Sequence, residues 1–132
     1  MVEGGCLCKA VRYRADAPSR GSMVCHCRTC RGISGAPAVG WVSFPRAGFR
    51  FTRGEPRRFK SSAHVWRTFC GDCGTPLTYE PEASPDELDV TTCSLDDPER
   101  FPPTHHSWLS HDLQWVKFGD GLPTFQRSRG DD

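Results

Sequence analysis

The sequence predicts a mostly β fold, and three observations lead to it. Glycine and proline are plentiful, 13 and 11 in 132 residues, which favours short strands joined by turns over a helical bundle. Several short stretches alternate apolar and polar residues with period two. No stretch carries helical periodicity for more than two turns. The length fits one domain. It is read as residues 1–125, with 126–132, "QRSRGDD", as a frayed tail. A core of this size benefits from a staple, either disulfide or metal.

The elements follow in order. In "CLCKAVRYR", Val11 and Tyr13 lie on one face and Arg12 and Arg14 on the other, a strand with one wet face. "APSRGS" breaks it. "CHCRTC", residues 25–30, comes next, then "RGISG", too short and Gly-rich to predict a helix. "APAVGWVSF" and "GFRF" read as strands, separated by Pro45–Gly48. "RGEP" is a turn, and "RRFK" and "HVWRTF" are strands joined at Ser61 and Ser62. "CGDCGTPL" is a tight Gly-rich knuckle that "LTYE" leaves as a strand. "LDVTTCSL" is rich in β-branched residues and reads as a buried strand. "DDPERFPP" is a connection with one helical turn, and "HHSWL" and "LQWVKF" complete the strands.

Net charge is +1 with acids and bases mixed along the chain, so no basic field favours nucleic acid as a partner. Arg53, Arg57, Arg58 and Lys60 read as a solvated strand face. The N-terminal stretch carries no secretory pattern, and no apolar run is long enough to span a bilayer. The expected compartment is therefore the cytoplasm. Disulfides are rare there, and clustered cysteines bind metal or do chemistry.

Eight cysteines fall into three clusters and a singleton: Cys6 and Cys8; Cys25, Cys27 and Cys30; Cys70 and Cys73; and Cys93. A CxxC followed by Gly, as at Cys70–Gly74, lets backbone amides turn toward the sulfurs and offset thiolate charge. Such a half-site needs two more ligands, since zinc prefers four in a tetrahedron. A thioredoxin-type redox CxxC is disfavoured, because that motif opens a helix in a βαβ unit, whereas Pro76 and a β-like segment follow here. Cys6 and Cys8 share one face of a strand, and Gly4 and Gly5 sit where the chain could bend to bring the sulfurs together. A Cys6–Cys8 disulfide would be strained.

Joining Cys6 and Cys8 to Cys70 and Cys73 closes a long loop at an entropic cost of about 4 kcal/mol plus a constant. Structural zinc binding contributes about 10–16 kcal/mol in small peptides, so the loop is no obstacle. Spacing alone leaves two partitions open. The four-sulfur site is either Cys6, Cys8, Cys70 and Cys73, or Cys6, Cys8, Cys25 and Cys27. Either leaves a three-sulfur site, and a three-ligand zinc keeps a position for water or substrate. The rivals for that position are His26, whose side chain should point away from its ligating neighbours, Cys93, read as a small buried hydrophobe, and His64, His105, His106 and His111, each read as packing or surface.

The stretches "GGCLCKAVRY", "CHCRTCRGISGAP", "WRTFCGDCGTPL", "SLDDPERFPPTHH" and "LQWVKFGDGLPTF" together resemble the glutathione-dependent formaldehyde-activating enzyme family, also called the GFA or CENP-V/GFA domain. The resemblance runs from about Gly4 to Phe125. It implies a β-tent fold of small antiparallel sheets stapled by zinc. It also implies the partition: Cys6, Cys8, Cys70 and Cys73 as structural zinc ligands, and Cys25, Cys27 and Cys30 as catalytic zinc ligands, two Zn²⁺ per chain. Three ligands are expected to bind less tightly than four, so the second ion is the more labile. Cys93 and the histidines have no role in that pattern. The activity it implies is carbon–sulfur lyase chemistry on thiol–aldehyde adducts, with a glutathione-like thiol and an aldehyde as small-molecule partners. Apart from the resemblance, Arg28 or Arg31 is a candidate to neutralise a substrate carboxylate, against the plainer reading of each as an exposed arginine. Two other classes compete: a non-catalytic zinc module that binds a protein partner, and a thiol redox sensor. An exposed apolar patch would favour the partner, and a concave pocket over the second site would favour chemistry.

Overall fold

The computed structural model describes residues 1–130. The fold is mostly β, as expected. Strands β1 (Val2–Gly5), β2 (Arg12–Ala15) and β5 (Phe49–Arg53) form a three-stranded antiparallel sheet in the order β1-β2-β5. A seven-stranded sheet runs β10-β3-β4-β9-β8-β7-β6. Its members are β3 (Gly21–Cys25), β4 (Val39–Pro45), β6 (Arg57–Ser62), β7 (Val65–Phe69), β8 (Pro76–Pro81), β9 (Glu87–Thr91) and β10 (His106–Ser107). Every pairing is antiparallel except β10 with β3, which is parallel. Among the described residues one α-helix, α1 (Arg28–Ser34), follows β3.

The core lies between the sheets. Tyr13 of β2 packs against Phe49 and Phe51 of β5, and Val42, Phe44, Leu88 and Val90 fill the facing side of β4 and β9. Each fully buried side chain of this size contributes about 1.5–3 kcal/mol. Cys6 and Cys70 belong to the same cluster, so one sulfur site is built into the edge of the core. The other face of the large sheet is also covered. Trp41 packs there with Cys25, Cys30 and Val39, which is why Trp41 and Val42, adjacent on β4, are both buried.

Several elements differ from the sequence reading. Cys6 and Cys8 do not sit on a strand. β1 stops at Gly5, and a tight turn follows, closed by Lys9 N–H to the Cys6 carbonyl (3.1 Å) and Cys6 N–H to the Val11 carbonyl (3.0 Å). The glycines before it serve close packing. A Cβ on Gly5 would lie 2.3 Å from the Val11 carbonyl oxygen, and one on Gly4 would lie 2.5 Å from the Tyr13 hydroxyl. β9 ends at Thr91, and Cys93 is exposed in a 3₁₀ turn, Thr92–Ser94, rather than buried on a strand.

"HHSWL" pairs only at His106 and Ser107, and "LQWVKF" forms no strand. Its alternation is real, but the open edge of β10 is taken by the returning chain. His106 N–H donates to the Pro123 carbonyl (2.8 Å), and Phe125 N–H donates to the His106 carbonyl (2.9 Å). Trp115 is left 71% exposed. The same return reaches the first residues of the expected tail. Trp108 N–H donates to the Arg127 carbonyl (2.9 Å) and Ser110 N–H to the Gln126 carbonyl (3.0 Å). The last two residues of that tail, 131 and 132, lie outside the described residues.

Candidate metal centres

The sulfurs of Cys6, Cys8, Cys70 and Cys73 all lie within 4.8 Å of one another. The turn after β1 supplies two, and the knuckle between β7 and β8 supplies the others. Cys6 and Cys8 sulfurs are 3.6 Å apart, and those of Cys8 and Cys70 3.8 Å. A tetrahedron with Zn–S near 2.3 Å has an edge of about 3.8 Å, so the spacing fits a zinc-sized ion, and no disulfide forms. Amides point inward: Val11 N–H to Cys6 Sγ (3.3 Å), and Asp72 and Cys73 N–H to Cys70 Sγ (both 3.4 Å). The knuckle's turn needs Gly74 at φ 81°, a conformation L side chains rarely adopt. The Thr75 hydroxyl beside Cys73 (3.3 Å) and nearby amides pull that thiol down to about 5.

Cys25, Cys27 and Cys30 form a second group whose sulfurs also lie within 4.8 Å of one another. Cys25 ends β3. Cys27 caps α1, its sulfur accepting from Cys30 N–H at 3.2 Å, and Gly35 closes the helix in the left-handed conformation. This sulfur cap explains a helix that composition does not predict. Packed together, the thiols do not ionise alike. Sulfur contacts from Cys25 and then Cys30 hold Cys27 far below the ordinary thiol range, while Cys25 is pushed well above it by Cys27, Cys30 and burial. Three soft sulfur donors with one anionic form already favoured suit a thiophilic cation.

No fourth His, Cys, Asp or Glu side chain joins this group among the described residues. Cys93 is on the surface. His26 points away, as expected, and is only 2% exposed. Its Nε2 lies 3.0 Å from His106 Nδ1, and His106 Nε2 lies 2.8 Å from Asp120. The Asp120 carboxylate accepts, so His106 donates through Nε2 and accepts at Nδ1 from His26. That buried line ties the C-terminal segment to the back of the motif, and neither the line nor its register is readable from sequence. His105 sits beside the Thr104 hydroxyl (3.0 Å) and against Phe125. His64 is exposed beside Glu82.

The three sulfurs open onto a cavity of about 730 Å³. Strand register sets its floor. Ser43, Asp89, Tyr79 and Arg67 stand opposite one another across β4, β9, β8 and β7, and all four line the cavity. Burial pushes the Asp89 carboxyl up, opposed by the Ser43 hydroxyl that donates to it, and burial raises the Tyr79 phenol. Arg28 lies exposed on the rim. Arg31 is committed elsewhere, donating to the carbonyls of His26 (2.8 Å) and His111.

A mostly β fold carrying two sulfur clusters spaced for metal, one of them facing a cavity, defines a class of small cysteine-site proteins. Within that class the chain belongs to the family described as glutathione-dependent formaldehyde-activating enzyme, which it matches over residues 1–111. A protein of Schizosaccharomyces pombe named as an uncharacterized lyase is 34% identical over 85 residues, covering 58% of this chain and 56% of that protein. The chain thus spans little more than half the length of that curated relative. A crystal structure of a Rhodobacter sphaeroides protein shares the fold, with a TM-score of 0.61 at 19% identity, over 93% of this chain and 98% of the other. Among the described residues no helix is long and apolar enough to cross a membrane.

Proposed function

We propose that this chain is a zinc-dependent carbon–sulfur lyase-type enzyme that makes or cleaves thiol–aldehyde adducts, with a glutathione-like thiol. The observation that carries the reading is the three-sulfur group opening onto a large concave cavity, the arrangement of a site with a position left for substrate. Residues 1–125 are taken as the working domain, and the cytoplasm, where eight thiols stay reduced, as its compartment.

Cys6, Cys8, Cys70 and Cys73 would hold a structural Zn²⁺, and Cys25, Cys27 and Cys30 a catalytic one. The catalytic ion would supply a lowered thiol pKa, keeping a bound thiol as thiolate near neutral pH. The chain's own residues do the rest. Trp41 and Trp108 wall the cavity beside the sulfurs and limit water. Of Arg28 and Arg31, Arg28 on the rim is the one placed to meet a substrate carboxylate, since Arg31 is engaged with backbone carbonyls. In the forward direction the thiolate sulfur attacks the carbonyl carbon. A C–S bond forms, the C=O π pair moves to oxygen, and that oxygen takes a proton from water, balancing the proton the thiol released. Holding both reactants in one cavity supplies the proximity.

The test is elemental analysis together with two-dimensional exchange NMR of glutathione and formaldehyde. The wild type is expected to carry two zinc per chain and to accelerate exchange between free thiol and S-hydroxymethyl adduct. One zinc per chain, with no acceleration, would favour the non-catalytic module.

A further inference from the structure

Arg67 is unusual among the cations of this chain. It is 5% exposed, and among the described residues no carboxylate pairs with it. Its Nε donates to the Ser61 hydroxyl (2.9 Å) and its Nη1 to Cys30 Sγ (3.6 Å). The guanidinium carbon lies 5.0 Å from the Tyr79 ring centroid and 5.8 Å from that of Trp41. Asp89, two strands away on the cavity floor, bonds Ser43 instead. A buried cation without a carboxylate partner carries a desolvation cost that other negative charge has to offset. Such a group persists where negative charge is to be met. The sulfur cluster is one such charge, and the oxygen of an attacked carbonyl is the other. Three thiolates on a dication leave a net negative centre that polarises a carbonyl poorly, so a separate donor is needed for that oxygen.

We propose that Arg67 is a catalytic residue of this site, whose guanidinium, anchored on Ser61 and Cys30 in the cavity wall, stabilises the alkoxide that develops as sulfur adds to the carbonyl carbon. The inference rests on the lyase reading above. Arg67 donates hydrogen bonds to the oxygen as the C=O π pair arrives and keeps its own proton. Water supplies the proton that completes the adduct. In cleavage the same donors stabilise the alkoxide before the C–S pair returns to sulfur.

The test uses the zinc-loaded full chain with glutathione and formaldehyde as probes. Arg67→Gln is expected to keep the wild-type zinc-to-protein ratio, lower kcat about 10²–10³-fold, as loss of an oxyanion donor does, and leave the KM for glutathione within about threefold. Arg67→Lys should recover part of the loss. Guanidinium ion at tens of millimolar should partly restore Arg67→Ala, a rescue that a packing role would not give. Should the Arg67 variants fail to fold, Ser61→Ala, which removes only the Nε anchor, is expected to lower kcat about tenfold with zinc retained. An active wild type beside an equally active Arg67→Gln, or a kcat loss matched by zinc loss, overturns the role of Arg67 alone. A wild type that makes no adduct overturns the lyase reading and this role with it.

Discussion

The two sulfur clusters contrast in what surrounds them. The four-sulfur group ties a turn near the N-terminus to a knuckle some sixty residues on. Its sulfurs meet backbone amides and the Thr75 hydroxyl, and two of its cysteines border the main core while Cys8 and Cys73 are exposed. The three-sulfur group is less exposed and faces a cavity; one sulfur accepts from the Cys30 amide and another meets the Arg67 guanidinium. Amide ligation of sulfur comes with the backbone turn and serves any chain that needs a staple. Side-chain ligation has to be placed across strands, and here it accompanies space for a second molecule. Both sites use amides; the cavity and the buried cation beside it set the second apart.

The largest expected effect comes from breaking the staple. Cys70→Ser should abolish the folded state, read as loss of dispersed amide NMR signals, because a structural zinc held there would contribute about 10–16 kcal/mol, as in comparable small systems. Cys27→Ser should leave the fold in place, lower zinc by one of two per chain and remove thiol–aldehyde activity. If it unfolds the chain instead, the contrast fails and both sites are staples. Gly5→Ala presses a Cβ to within 2.3 Å of the Val11 carbonyl oxygen beside the four-sulfur turn, and should cost about 3 kcal/mol in chemical denaturation. Gly35→Ala after α1 meets no atom within 4 Å, so only its positive φ is strained and the cost should be about 1 kcal/mol.

Two carboxyls sharpen the comparison through pH, with opposite signs. Asp89 on the cavity floor has its pKa raised by burial. Its contribution to stability is full below its unfolded value near about 3.9 and is lost as pH rises through the higher folded value. Asp89→Asn should therefore raise stability at neutral pH relative to wild type. Asp96, behind the small sheet, has its pKa lowered by Arg12, which donates to both carboxylate oxygens. Its contribution is present above the unfolded value and is lost as pH falls through the folded one. The pair is half exposed, so Asp96→Asn should cost no more than about 1 kcal/mol at neutral pH, the smallest of these effects, measured by urea unfolding.

Sequence made much of this legible where one residue's environment depends on its near neighbours. The strands from Val39 to Thr91 show in their alternation, and the cysteine spacings show the half-sites. β1 is hidden because "VEGG" has too little side chain to alternate, and β3 because its apolar content is only Met23, Val24 and Cys25. α1 is hidden because a sulfur caps it. "LQWVKF" misleads because a pattern cannot tell whether a sheet edge is free. The cavity floor is the deepest omission. Arg67 and Asp89 look like wet-face residues on their own strands. Only register, Arg67 opposite Tyr79 and Tyr79 opposite Asp89, turns them into one wall.

The parallel seam between β3 and β10 sets an order of assembly. All four sulfurs of the first cluster have been synthesised by residue 73, whereas β3 gains its outer neighbour only from residues 106–107, themselves flanked by 123–127. On a translating ribosome the four sulfurs can come together while the segment that seals the back of the second cluster is still being made.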